Sequence, residues 1–165
     1  MPFKYFCELL VLSALWGASF LFMRTTTGEF GPIMLITLRT GIAAMALLPF
    51  FLYARLQHQV RENWQAILFV GLTNTAIPFC LLSYSAFSLG AGYASILNAT
   101  APMFGAIVGF FWLNAKLTQL SIFGLVLGFF GVVILSVAKS TQNPMQILPW
   151  IPIVAALCAT FLYGL

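Results

Sequence analysis

An arginine set inside an apolar run has one outstanding use, the holding of an anion. Arg39 stands between Met34-Leu35-Ile36-Thr37-Leu38 and Thr40-Gly41-Ile42-Ala43-Ala44. A guanidinium keeps its charge and offers five N–H donors in a planar fork that matches a carboxylate. The opposite chemistry, proton coupling by a carboxyl group, has one candidate within an apolar run, Glu8, which sits beside Lys4 and serves equally as an interfacial charge. Enzyme chemistry finds little to work with. The chain has no Asp, its single histidine, His58, lies in a polar stretch, and Cys7, Cys80 and Cys158 are too far apart for a zinc or disulfide pattern. No glycine-rich loop suits a phosphate. No catalytic residue, metal or cofactor is therefore expected.

The elements that must position Arg39 and Glu8 are long and greasy. Six apolar stretches fill nearly all of the 165 residues: Tyr5–Met23, Pro32–Leu52, Gln65–Leu89, Ala91–Leu113, Gln119–Ala138 and Ile147–Leu165. Each approaches or exceeds the roughly 20 residues that cross a hydrocarbon core of about 30 Å. The whole chain is 62% hydrophobic and 6% charged, with a mean hydropathy of +1.03. Backbone amides go unpaired in lipid unless the segment is a helix or part of a closed barrel, and continuous apolarity without alternation excludes the barrel. The expected fold class is an all-α integral membrane bundle. The net charge of +4 comes from seven scattered Lys and Arg residues, so it forms no nucleic-acid surface.

Those basic residues orient the chain. With alternating crossings, Lys4, Arg55, Arg61 and Lys116 fall on the side of the N-terminus, and Arg24 and Lys139 on the other. Basic loops stay in the cytoplasm, so the N-terminus and the linker Tyr53–Trp64 are expected inside, and Lys139–Gln146 outside. A rise of ~1.5 Å per residue then places Trp16 and Arg39 ~18–20 Å from the cytoplasmic edge, Asn74 and Pro102 ~14 Å, and Pro78 and Asn98 ~20 Å. Polar groups from four helices thus share one layer, where they should face protein or a watery cavity. Glu8 lies only ~6 Å deep, too shallow to pair with Arg39. Arg39 either bonds helix carbonyls or attracts an anionic cargo group. Asn74 and Asn98 are open to two readings, an interhelical hydrogen bond or a cargo contact.

Small residues mark packing faces. Gly105 and Gly109 lie one helical turn apart in the fourth stretch, as do Gly124, Gly128 and Gly131 in the fifth, and such spacing lets backbones approach closely. The fourth and fifth helices are expected to cross over these glycines, with the sixth docking loosely or projecting. Pro78 and Pro102 each free a carbonyl one turn earlier and should kink their helices.

Several segments together carry a resemblance. They are Leu15-Trp16-Gly17-Ala18-Ser19-Phe20, Leu38-Arg39-Thr40, Thr75-Ala76-Ile77-Pro78, Ala94-Ser95-Ile96-Leu97-Asn98-Ala99-Thr100-Ala101-Pro102, and Gly124-Leu125-Val126-Leu127-Gly128-Phe129-Phe130-Gly131-Val132. In order and spacing the chain resembles the EamA-type branch of the drug/metabolite transporter superfamily. The fifth stretch also looks like the packing helix of small multidrug resistance proteins.

The resemblance implies a five-helix transmembrane bundle over residues 5–138, one half of an inverted repeat, with residues 139–165 as a linker and the start of a second, truncated repeat. It implies outward movement of small metabolites such as amino acids across the cell (inner) membrane. It further implies a second five-helix unit as partner, either a missing half or another copy of the chain, beside the lipid bilayer and a small-molecule substrate. Trp16, Ser19, Arg39, Asn74 and Asn98 become the expected substrate contacts, and Glu8 a possible coupling group. Two departures stand out: Ala115 occupies the family's usual acidic position, and Leu15 the place of the small multidrug resistance carboxylate. The alternatives are a non-transporting remnant or assembly subunit, and efflux of cationic drugs.

Overall fold

A computed structural model describes residues 3–114, 117–142 and 150–165. Ala115, Lys116 and residues 143–149, which carry parts of two predicted linkers and the start of the sixth stretch, lie outside the described residues. Every element is helical: α1 (Phe3–Tyr53), α2 (Gln57–Gly71), a π-helical turn (Leu72–Ala76), α3 (Ile77–Leu89), α4 (Ala91–Asn98), α5 (Ala101–Leu113), α6 (Gln119–Gln142) and α7 (Trp150–Gly164). Among the described residues there is no strand. Helices over Lys4–Tyr53, Gln57–Leu89 and Ala91–Trp112 are long and apolar enough to cross a membrane. Their outer faces are apolar too, with Phe22, Ile33, Met45 and Phe111 each more than two-thirds exposed, which only a lipid surround makes favourable.

The first two predicted spans are the arms of α1, which breaks at Gly31 (φ 74°, ψ 161°) immediately before Pro32. A side chain at that φ would be strained, and proline disfavours helix in the residue before it. The expected linker Arg24–Gly31 is instead helical as far as Phe30. Two of its hydroxyls are satisfied without leaving the helix: Thr25 donates back to the carbonyl of Leu21 or Phe22, and Thr27 pairs with Ser83 of α3 at 2.6 Å. The linker Tyr53–Trp64 is also shorter than expected, since only a turn at Arg55 (φ 52°) separates α1 from α2. Gly90 (φ 97°, ψ 150°) is the one residue between α3 and α4 and adopts nearly the conformation of Gly31. Asn114 ends α5 in the left-handed region, where its short amide side chain is tolerated, and Thr118 accepts the backbone N–H of Ser121 in the first turn of α6.

Both prolines open a helix after an irregular turn. The π turn precedes Pro78, and Ala99–Thr100 interrupts the fourth span before Pro102. At the second site Thr100 N–H bonds to the Leu97 carbonyl, a tightened turn that ends the first half of the span just before the proline.

The core gathers Phe20 and Met23 of α1, Leu82 and Ala86 of α3, Ala94 and Leu97 of α4, and Ala156 and Ala159 of α7. The position of α7 corrects the expectation of a loose sixth helix. It packs along α3 and α5 with Pro152, Ile153, Ala155, Ala156, Ala159 and Thr160 buried, because an alanine face lets helices approach closely. The close crossing expected between the fourth and fifth spans is likewise displaced. Gly105 of α5 faces Gly164 of α7, while a cavity of about 340 Å³, lined by Met103 and Ile107, Phe129 and Val133, and Ile153 and Leu157, lies where α5, α6 and α7 meet.

Candidate functional site

The two arms of α1 fold back on one another, so Ser19 of the first comes to lie beside Arg39 of the second, while Trp16, which does not line the cleft between them, is linked to Arg39 through Phe79. Arg39 Nη1 donates to Ser19 Oγ at 2.9 Å. The guanidinium carbon stands 4.6 Å from the ring centre of Phe79, over its face. Trp16 stacks on the same ring with centroids 6.5 Å apart and planes 25° from parallel, and Tyr163 of α7 meets it edge-on at 6.2 Å. Phe79 is thus the hub of a cluster drawn from α1, α3 and α7. It sits directly after Pro78, so the π turn and the proline set the height and azimuth of its ring. Tyr163 Oη is buried without a hydrogen-bond partner among the described residues.

Arg39 lines an open cleft of about 440 Å³ between the arms, together with Ser19 and the apolar Leu15, Ala18, Leu35, Leu38 and Ile42 among others. That volume lies within the ~300–1,000 Å³ usual for small-ligand sites. The electrostatics are one-sided. Glu8 lies 3.9 Å from Lys4 at the exposed start of α1, and Glu62 lies 3.3 Å from His58. Among the described residues no acid reaches Arg39. A centrally placed arginine costs about 2.5–3.5 kcal/mol on membrane-insertion scales. Its attraction to the Phe79 face, about 0.5–2 kcal/mol, and one charge-assisted hydrogen bond offset part of that. Four of its five N–H donors remain for another acceptor.

The other expected contacts lie elsewhere. Asn74 is exposed within the π turn, and Asn98 is half-buried near the end of α4 with its Oδ1 unpartnered among the described residues. Neither lines the cleft. Among the glycines, a Cβ on Gly128 would meet the Met103 thioether at 3.1 Å, whereas one on Gly124 or Gly131 would meet open space. Gly109 accepts the N–H of Asn114 through its carbonyl at the end of α5. Phe79 and Tyr163 escape sequence reasoning because an aromatic in an apolar run carries no mark of its own. The sole available signal is the adjacency of Phe79 to Pro78.

Comparison with known proteins supplies a class. Residues 5–137 match the EamA-like transporter family. An uncharacterized transporter of Bacillus subtilis, YvbV, is 25% identical over 130 residues, covering 79% of this chain and 43% of the relative. An uncharacterized transporter of Archaeoglobus fulgidus is 22% identical over 136 residues, 81% of this chain and 48% of the relative. A second from that organism is 32% identical over 95 residues, 57% and 33% of the two chains. The chain thus spans a little under half the length of the relatives it matches most fully. No solved structure matches significantly.

Proposed function

The chain belongs to the EamA-like transporter family, and from that premise we propose that it is one five-helix unit of a membrane carrier for small, carboxylate-bearing metabolites, amino acids among them. The observation that carries this reading is Arg39: a cation with no acid partner among the described residues, in a cleft of ligand size, held by Ser19 and Phe79. A carboxylate fits its unused donors in bidentate fashion. A lipophilic cation finds no acid in the cleft to hold it and meets the repulsion of Arg39. The work is that of a carrier, not an enzyme, with export across the cell membrane as its direction and the N-terminus in the cytoplasm. Because the relatives are about twice as long, a second five-helix unit, from a longer chain or another copy, closes the open side of the cleft. Asn74 and Asn98 belong to that closed state, in which the second unit brings them into reach of cargo. Glu8, paired with Lys4 at the surface, is an interfacial charge in this scheme.

The reading is tested in cells expressing the chain together with its second unit. They are expected to withstand toxic carboxylate-bearing analogues better than vector controls, and to lose that tolerance with Arg39→Lys. Tolerance confined to quaternary ammonium dyes would sink the assignment. Orientation is checked separately by a cysteine placed at residue 58, which should resist labelling from outside the cell.

A further inference from the structure

The wall of the cleft says more about its ligand than the charge alone. Among the described residues that line it, Arg39 and Ser19 alone are polar; the others are apolar, with Leu15, Leu35, Leu38 and Ile42 contributed by the two arms. A ligand whose anionic head rests on Arg39 must therefore lay the rest of its body against hydrocarbon. An ammonium group beside that head would find no carboxylate and would sit in the field of the guanidinium, in surroundings of low dielectric where like charges repel strongly. The two amides that could have helped it, Asn74 and Asn98, do not line the cleft.

The guanidinium is already oriented for an anion. Attraction to the face of Phe79 draws on its charge and not on any particular N–H, and Ser19 takes one donor. The remainder of the fork is left for the ligand. Trp16, nearly half exposed and stacked on the same Phe79 ring, does not itself line the cleft.

We propose that the cleft between the arms of α1 selects hydrophobic monocarboxylates, an anionic head on Arg39 with an aliphatic or aromatic body between Leu15, Leu35, Leu38 and Ile42, in preference to zwitterionic amino acids. This rests on the reading of Arg39 as a cargo contact and narrows the cargo class at that same site. The shared chemistry, a negative head on a hydrocarbon body, also describes an anionic phospholipid, so the test separates the two.

The test uses the chain in phosphatidylcholine nanodiscs and equilibrium dialysis with labelled 3-phenylpropionate. L-Phenylalanine differs from this probe by its α-ammonium, 3-phenylpropanamide lacks the negative charge, and acetate lacks the body. The probe is expected to bind, and each of the three competitors to displace it at least tenfold more weakly than unlabelled probe. Arg39→Gln should weaken probe binding at least tenfold while leaving the amide unchanged. Ala18→Phe, which fills the cleft without touching the charge, should weaken it comparably, with thermal midpoints of both variants confirming the fold. L-Phenylalanine binding as well as the probe would overturn the proposal and leave the transporter reading intact. Failure of every carboxylate to bind would overturn both. Loss of probe binding when phosphatidylglycerol is added to the nanodisc would make the cleft a lipid site and overturn the proposal as well.

Discussion

The junction of α3, α4 and α7 and the cleft of α1 handle polarity in opposite ways. At the junction, several hydroxyls are paired, although Ser85 Oγ is buried without a partner among the described residues. Thr27 meets Ser83 at 2.6 Å, Thr160 donates to the Leu157 carbonyl, and Thr100 lies 2.7 Å from the Leu97 carbonyl and 3.1 Å from Thr160 Oγ1, its single proton serving one of them. Around these pairs stand residues small enough to bring backbones together, among them Ala86, Ala94, Ala156 and Ala159, all fully buried. The cleft does neither. It keeps a full charge, gives it one hydroxyl and one ring, and leaves space beside it. The junction therefore holds helices together, whereas the cleft keeps a charge beside open space, the contrast on which the proposed cargo contact rests.

Substitutions can break that contrast from either side. The largest effect is expected on the packing side, where α7 meets α5, from Gly164→Ala. A Cβ there would come within 2.8 Å of the backbone of Phe104 and Gly105, which cannot step aside as a side chain can. Overpacking of this kind costs about 2–3 kcal/mol, and thermal unfolding in detergent should show a clearly lower midpoint. In the cleft, Arg39→Lys should leave that midpoint unchanged yet weaken carboxylate binding about tenfold, ~1.4 kcal/mol, because an ammonium lacks the fork. Equilibrium dialysis reads the second effect and the melting curve the first. A lowered midpoint would mean that Arg39 serves packing, and the contrast would fail.

Smaller effects sharpen the picture. A double-mutant cycle on Thr27→Val and Ser83→Ala should return a coupling near 0.6 kcal/mol, the usual worth of an interhelical hydrogen bond in a membrane, measured by reversible unfolding in mixed micelles. The smallest change is expected from Gly124→Ala and Gly131→Ala, where a Cβ meets open space: stability should stay within about 0.5 kcal/mol. A large loss at either position would show that the glycine stripe of α6 packs against a partner after all.

Much of the architecture was legible in the sequence because lipid imposes so few solutions. Apolar length gave the spans, the one-residue gap at Gly90 gave a sharp turn, and the depth of Trp16 and Arg39 put them in one layer, where the fold gathers both on Phe79. Two kinds of information were not there to read. A polar stretch such as Arg24–Phe30 looks like a loop, yet threonine hydroxyls can bond back to helix carbonyls and keep the helix whole. A glycine stripe, for its part, says that some backbone comes close without saying which. Gly105 was as well suited to Gly164 as to any glycine of α6, and the choice fell to the alanine face of α7. The site divides along the same line. Charge betrayed Arg39, but nothing in the run Pro78-Phe79-Cys80 distinguishes the ring on which it rests.

Gly31 acts as the zero mark of a ruler. Unbroken, the residues of α1 would make a rod of about 76 Å, far more than any bilayer is thick. Folded there, the two arms become a hairpin in which the long side chain of Arg39 reaches back to Ser19, which stands farther from the fold on the first arm. Arg39 reaches Ser19 because it stands a little over two turns beyond that mark. Each residue added or removed between Gly31 and Arg39 would swing the guanidinium ~100° around its helix and shift it ~1.5 Å along the axis. One deletion would thus aim the charge away from Ser19 and Phe79 toward lipid, with no side chain of the site altered. Moving the hinge by one position would have the same result, so the placement of a residue without a side chain determines where the charge points.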